Sequence, residues 1–445
     1  MRHLDIAAVE TGTFDAINPP RQDLIDDCVH CGFCLSACPT YALWGEEMDS
    51  PRGRIYLMKL GREGATSIDS TFVRHFDACL GCMACVTACP SGVKYDELVE
   101  AVRPQIERNF RRGFGDRVFR ALVFQMFPRP GRMRVAASLG LLYQRMGVQA
   151  LLRLTRLVRL LPARLAALEQ MLPPVSWAAI RTTTPELTPA TGPRRRRVGL
   201  LTGCIQRVFF GEVNAATVRV LAAEGCEVVA PRTQGCCGAL LMHSGLEGEA
   251  AALARATIDC FERQNLDAIV VNAAGCGSAM KDYGRLLSGD PAYAGRAVAF
   301  ASRVRDVSEV LAELEPVAPR RAVHARVAYH DACHLSHAQG VRQEPRMMLS
   351  DIPGLTVLEV PDGDMCCGSA GIYNLVQPVP AAELGRRKAA AILSLKPDLV
   401  AAGNPGCLLQ LRSHLAEPIP LVHPVQLVDA AIRGDAIPTS SRSRR

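Results

Sequence analysis

Two cysteine runs constrain this chain more than anything else in it. Cys28-Val-His-Cys31-Gly-Phe-Cys34-Leu-Ser-Ala-Cys38-Pro39 is followed by Cys79-Leu-Gly-Cys82-Met-Ala-Cys85-Val-Thr-Ala-Cys89-Pro90, both of the form C-x2-C-x2-C-x3-C-P. Three thiolates at steps of three let a tight, helix-like loop aim its sulfurs at one cubane [4Fe–4S] cluster. The fourth cysteine, followed by proline, lies too far along to close the same cube. In paired runs it ligates the other cluster. The spacing therefore assigns Cys28, Cys31, Cys34 and Cys89 to one cluster and Cys79, Cys82, Cys85 and Cys38 to its neighbour. Structural zinc uses C-x2-C pairs across a longer gap, and disulfides need an oxidising compartment; neither fits two identical quadruple runs.

At 445 residues the chain has room for two or three domains. Its 18 cysteines are clustered, as in metal binding and unlike a stapled secreted miniprotein. Met1-Arg2-His3-Leu4-Asp5 is no signal-peptide start, and no apolar run reaches the roughly 18 residues of a membrane span. The expected compartment is the reducing cytoplasm. The net charge of +7 is regional: residues 101–170 hold fourteen arginines against Glu107, Asp116 and Glu169. Within that stretch Leu151–Arg159 reads as a basic amphipathic helix with Arg153, Arg156 and Arg159 three apart. That pattern suits peripheral contact with an anionic surface at the inner face of the cell membrane, or an acidic partner. An ordinary solvated face, its leucines packed on the rest of the protein, is the alternative. Nucleic acid is not expected, because aromatic residues are sparse and no binding motif occurs.

Several shorter readings follow. Pro51-Arg-Gly-Arg54 reads as a turn before a helix, its two arginines either pairing with acids, offsetting cluster charge or standing in solvent. Residues 92–111 read as a helix. The proline-rich 173–197, closing on Arg194 to Arg197, reads as a linker.

Beyond the linker, short β-branched runs alternate with helical stretches, which argues an α/β fold with a largely parallel sheet. Arg197–Thr202 and Ala268–Asn272 read as strands, and 214–224 as a helix. The region then repeats itself. Cys204, Cys236-Cys237-Gly238 and Cys276 make one copy; Cys333, Cys366-Cys367-Gly368 and Cys407 make the other. First cysteine to doublet is 32 and 33 residues, doublet to last cysteine 40 and 41. Buried small hydrophobes do not keep such matched spacing, so these eight thiols are candidate ligands of further iron–sulfur clusters. Cys226 and Cys260 fall outside the pattern and read as core. His330, His334 and His337 surround Cys333, either as a zinc site or as polar groups beside the thiols.

On these residues the chain resembles the iron–sulfur subunit of bacterial glycolate oxidase (glycolate dehydrogenase) over nearly its full length. The carrying stretches are Cys28 to Pro39, Pro51-Arg-Gly-Arg-Ile-Tyr-Leu-Met58, Cys79 to Val93, Cys236-Cys-Gly-Ala239, His330-Asp-Ala-Cys-His334 and Cys366-Cys-Gly-Ser-Ala-Gly371. The C-terminal repeat is similar to the Cys-Cys-Gly domains of heterodisulfide reductases and lactate-utilisation proteins. One departure stands out: Ala273 and Asn404 occupy positions where heterodisulfide reductases carry a further cysteine, leaving four thiolates per copy.

The expected architecture is multi-domain α+β: a helical 2×[4Fe–4S] ferredoxin-type domain (1–110), a basic helical segment and linker (111–196), two cysteine-rich α/β domains (197–318 and 319–437) and a disordered tail (438–445). The resemblance implies electron transfer from FAD-containing 2-hydroxy-acid oxidase subunits, which oxidise glycolate or D-lactate, towards a quinone-type acceptor. No G-x-G-x-x-G follows a strand and no phosphate loop occurs, so flavin chemistry belongs to a partner. The competing expectation is a heterodisulfide reductase-like or lactate-utilisation subunit acting at the Cys-Cys-Gly sites.

Overall fold

The protein is described from a computed structural model covering residues 12–175, 177 and 183–437. The chain divides into two compact units; one holds residues up to 114 with 243–246, the other 115–242 with 247 onwards. The expected tail, 438–445, lies outside the described residues, as do residues 1–11.

The first unit is helical. Helix α1 (Pro51–Arg62), α2 (Ser70–Ala78) and α3 (Tyr95–Asn109) bury Ile55, Met58, Phe72, Phe76, Leu98, Val99, Val102 and Ile106 in one core with Phe14. The expected Pro-Arg-Gly-Arg turn is the first turn of α1. Ser50 accepts from the Gly53 N–H at 3.0 Å, and Pro51 takes the first helical position, where its missing N–H costs nothing. Gly53 is required there by close approach, since a Cβ would lie 1.9 Å from the Glu47 carbonyl oxygen. Asp69 caps α2 by accepting from Thr71 and Phe72, both at 2.9 Å. The expected helix at 92–111 is α3.

The second unit opens with helices α4 (Phe114–Met126), α5 (Pro130–Arg145), α6 (Val148–Leu154) and α7 (Ala163–Met171). The amphipathic helix expected over 151–159 is broken. It stops at Leu154, Arg156 turns left-handed (φ 58°), and a 3₁₀ turn follows over Leu157–Leu160. Most of its leucines stay in solvent: Leu151, Leu154 and Leu157 are exposed, Leu154 by 82%, while Leu152 is half-buried and Val158 buried. What anchors the segment is a different set, Met133, Ala137 and Leu141 against Val208, and Val123 against Ile372 and Leu375.

The expected linker contains a strand. β1 (Leu187–Thr188) pairs antiparallel with β3 (Cys226–Val229), which runs parallel to β2 (Arg196–Leu201). β4 (Ala268–Val271) and β5 (Val304–Asp306) complete a sheet of order β1-β3-β2-β4-β5. The arginine run is also tied down: Arg194 and Arg197 pair with Glu227, and Arg196 with Glu313. The helix expected from 214 is α8 (Gly211–Ala223), followed along the chain by α9 (Glu247–Glu262), α10 (Ala274–Lys281) and α11 (Val307–Glu313).

A second sheet, all parallel, has order β7-β6-β8-β9: β6 (Ala325–His330), β7 (Leu355–Glu359), β8 (Leu399–Ala402) and β9 (Leu421–Val422). Its helices include α12 (Pro378–Ser394), α13 (Pro405–His414) and α14 (Pro424–Arg433). Val198, Leu200 and Leu311 share one buried cluster with Val327, Leu399 and Val428, so the two sheets are held by a common core. Across it, Arg219 of α8 meets Asp429 of α14 in a two-pronged pair, 2.9 and 2.6 Å. Cys226 is buried, and burial pushes its thiol up to about 11; Cys260 is only half-buried and contacts Thr233, so it is not a core residue.

Candidate metal centres

No described cysteine is joined in a disulfide. In the first unit they surround two cavities. One is lined by Cys28, Cys31, Cys34 and Cys89, with Cys85 also on its wall. The other is lined by Cys38, Cys79, Cys82 and Cys85. Three thiols of one run and the Cys-Pro thiol of the other thus line each cavity, with Cys85 on the walls of both. Left-handed backbone at His30, Gly32, Gly81 and Met83 curls the loops around them.

Around these sulfurs the chain supplies cationic and hydrogen-bonding groups. Arg54 is 1% exposed; it donates to the His75 carbonyl at 2.7 Å and to Thr40, and pairs with Asp49 at 3.4 Å. Asp49 in turn holds the His75 ring at 2.9 Å. Arg52 pairs with Glu47 and donates to the His30 carbonyl at 3.0 Å. Neither arginine is simply solvated. Burial pushes the Cys79 thiol up, but Arg54, Arg103, the Tyr95 hydroxyl (3.5 Å) and the Gly81 N–H (3.4 Å) together bring it below its usual value. Cys85 goes the other way: burial, then Cys82 and Cys79 beside it, push it well up. Thiolates packed this closely cannot ionise together without a cation among them. A site that draws one thiol down and crowds the rest fits a metal–sulfur cluster in its donor set.

The repeats place their cysteines at strand ends, where parallel α/β folds build sites. Here the sulfurs touch. Cys204 and Cys236 are 3.5 Å apart, and Cys237 contacts Cys236 and Cys276. In the second copy Cys333 and Cys366 are 3.9 Å apart, and Cys367 contacts Cys366 and Cys407. Contact with Cys236 and burial raise Cys204, and contact with Cys366 and burial raise Cys333. Asn404, at the position of the missing cysteine, donates its side-chain amide to Cys407 at 3.5 Å. Ala273 is buried and offers nothing.

The three histidines separate. His330 ends β6, fully buried; burial, with Lys388 nearby, holds its ring down to about 3. It lies with Cys367 and Cys407 inside a sphere of mutual approach of 4.8 Å. His334 faces Cys333 at 3.5 Å, and His337 faces the Asp364 carbonyl at 3.2 Å. Sequence reasoning passed over Arg103, Tyr95 and Lys388. Lys388 is 3% exposed and donates to the Asp362 carbonyl; only the repeat offset, which aligns it with Thr257, hints at its place.

Family models match four stretches of the chain. Residues 24–93 match the 4Fe-4S dicluster domain family, 115–172 the linker region of the glycolate oxidase iron-sulfur subunit, and 198–281 and 327–412 the cysteine-rich domain family. The chain is 41% identical over 390 residues to the "Probable glycolate oxidase iron-sulfur subunit" of Bacillus subtilis (strain 168), covering 87% of this chain and 88% of that one. It is 36% identical over 411 residues to the glycolate oxidase iron-sulfur subunit of Escherichia coli (strain K12), covering 91% and 93%. Lactate utilization protein A of Oceanobacillus iheyensis is 26% identical over 242 residues, 54% of this chain and 98% of its own length. With two relatives matched almost end to end, the chain belongs to the glycolate oxidase iron–sulfur subunit family.

Proposed function

We propose that this chain is the electron-transfer subunit of a complex in which a flavoprotein oxidises glycolate, or D-lactate, to the 2-oxo acid, and that it carries the electrons towards a quinone-type acceptor. One observation carries the reading: two cavities, each lined by three cysteines of one run and the Cys-Pro cysteine of the other. In this reading Cys28, Cys31, Cys34 and Cys89 would hold one [4Fe–4S] cluster, and Cys79, Cys82, Cys85 and Cys38 the other. Such clusters supply reversible one-electron transfer. The chain's own part is to hold them: Arg54 offsets thiolate charge in a dry site, Tyr95 and Gly81 donate to Cys79, and α1 to α3 fix the loops. The eight thiols of the repeats are further ligands. FAD would sit on the partner, in the cytoplasm.

Support for a one-electron carrier over a disulfide-reducing subunit comes from Asn404 and Ala273, which leave each repeat without a further thiol. The test is direct. Anaerobically purified chain with its flavoprotein partner reduces an artificial quinone with glycolate, whereas the chain alone does not oxidise glycolate. Cys82→Ser lowers iron by about four per chain and stops quinone reduction while leaving flavin reduction intact. Glycolate oxidation by the isolated chain would overturn the division of labour.

The basic helical segment is read as a membrane-surface contact. Twelve of the 24 exposed large apolar side chains among the described residues lie in 115–165, Leu139, Leu142, Leu151, Leu154 and Leu160 among them. Arginines interleave them along the sequence, and a stretch of exposed apolar and cationic residues suits an anionic bilayer surface. Among the described residues no helix is long and apolar enough to cross a membrane. Flotation with phosphatidylglycerol-rich vesicles, and not with phosphatidylcholine vesicles, is expected. Leu154→Glu with Leu160→Glu abolishes it, and equal recovery of the altered chain with the vesicles would remove the reading.

A further inference from the structure

The thiols of the first unit differ in how far they stand from solvent. Cys38, Cys79, Cys82 and Cys85, which line one cavity, are all buried. On the other cavity Cys28, Cys34 and Cys89 are half-buried, and Cys31 beside them is the one exposed cysteine among the described residues. Electron tunnelling falls steeply with distance, so an electron from outside enters where a ligand sulfur reaches the surface.

Two further observations say what covers this edge. Val29 and Phe33 line the same cavity yet are 68% and 65% exposed, and the exposed Tyr56 sets its ring against His30 with 6.2 Å between centroids. The charge around them is one-sided. Residues 12–50 hold seven carboxylates against Arg21 alone. Asp26 and Asp27 are exposed just before Cys28, and Arg52, which donates to the His30 carbonyl at 3.0 Å, is itself paired with Glu47. Apolar side chains within a polar rim are the anatomy of a protein interface. An acidic rim asks for a basic partner face, and an anionic bilayer repels it. A quinone asks for a concave apolar pocket, and side chains exposed this far do not enclose one.

We propose that the flavoprotein partner docks on this rim, through a face whose apolar side chains are ringed by Lys and Arg, and that electrons enter the chain on the Cys31 side, reaching the buried thiol set second. The inference rests on the electron-transfer reading above. Transfer runs one electron at a time: the partner's reduced flavin is oxidised, the cubane that Cys28, Cys31, Cys34 and Cys89 would hold is reduced, and the flavin's protons pass to solvent. No bond of this chain forms or breaks. Asp26 and Asp27 act on docking alone, by attraction that salt screens.

The experiment mixes the full chain, purified anaerobically with its iron, with the flavoprotein partner reduced by glycolate. Bleaching of the cluster absorbance is followed against partner concentration and salt. Half-saturation should need more partner as salt rises. Asp26→Lys with Asp27→Lys should raise it about tenfold at low salt and remove most of the salt dependence, with iron content and reduction by dithionite unchanged. Phe33→Ala should raise it at every salt concentration. Should the charge variant lose iron, hydrogen exchange in the unaltered chain reads the same surface, with amides of 26–34 protected by the partner. Unchanged half-saturation in both variants overturns the docking, as does slower reoxidation by quinone with flavin transfer unchanged. Protection of 26–34 by phosphatidylglycerol vesicles and not by the partner assigns the rim to a bilayer and overturns it too. An iron-free chain that still supports quinone reduction overturns the electron-transfer reading itself; the other failures, seen with iron in place, overturn the docking alone.

Discussion

The two cysteine-rich copies are the same machine with different parts at three matched places. Where the first has Leu201, Thr257 and an Asp306 helix cap, the second has His330, Lys388 and a His423 cap. Asp306 accepts from Ser308 at 2.9 Å and its own N–H meets Glu309 at 2.6 Å; His423 accepts from Val425 at 3.2 Å and its N–H meets Gln426 at 2.8 Å. Backbone frame and thiol count are thus set by the repeat, while polarity around the thiols is free to diverge. Symmetric cysteines do not imply symmetric centres.

The caps offer the largest way to break the comparison. Burial holds His423 down to about 3, against 6.5 in the unfolded chain. As pH falls from 6.5 towards 3 only the unfolded chain takes up this proton, so stability is lost over that window, by up to roughly 5 kcal/mol. Burial raises Asp306 to about 6 from 3.8. There the folded chain keeps its proton longer, so stability falls as pH rises from about 4 to 6, by up to roughly 3 kcal/mol. His423→Asn should flatten the first slope and Asp306→Asn the second, in denaturant unfolding read across pH 4 to 7. Parallel slopes in both variants and the unaltered chain would dissolve this contrast.

Next are the two Cys-Cys-Gly glycines. Both need positive φ, +83° at Gly238 and +88° at Gly368. A Cβ would meet the Ala250 carbonyl at 3.2 Å in the first copy and the Ala381 carbonyl at 2.5 Å in the second. Gly238→Ala should cost roughly 1–2 kcal/mol from backbone strain, and Gly368→Ala roughly 2–5 kcal/mol, since overpacking adds to it. Hydrogen exchange of β4 and β8 amides reports each copy separately, and an equal loss in both would show that the second loop yields.

A smaller effect sharpens the contrast between Leu201 and His330. His330→Leu should raise stability by about 1–3 kcal/mol in denaturant unfolding, because it removes a buried ring whose nitrogens have no hydrogen-bond partner. The smallest concerns the joint between copies. Asp429→Ala should cost about 1 kcal/mol, since Arg219 is 41% exposed on its side chain and water takes up much of the pair's loss. The unfolding transition should remain single, as one shared core predicts.

Much of this was legible in the chain itself. Cysteine spacing gave the order of regions, the duplication and the candidate ligands, because thiolate clusters demand ligands at fixed steps and a repeat preserves them. Local signals misled where distant contacts decide. Pro-Arg-Gly-Arg begins a helix because Ser50 caps it and Gly53 fits against Glu47; the linker contains a strand because β3 offers an edge to Leu187 and Thr188. Leucines 151 to 160 looked packable, but the core beside them was filled from Met133, Ala137 and Leu141 instead.

Residue order alone dictates which positions carry sulfur, in what rhythm, and that one half of the chain is written twice. Folding is what buries Arg54 beside the thiols, sets His330 against Cys367 and Cys407 with no hydrogen-bond partner at either ring nitrogen, and brings the repeat sulfurs into contact while the first unit's line cavities. Ligand spacing is a property of the covalent chain, but desolvation and sulfur-to-sulfur distance exist only once strands and helices from far apart have closed around the site.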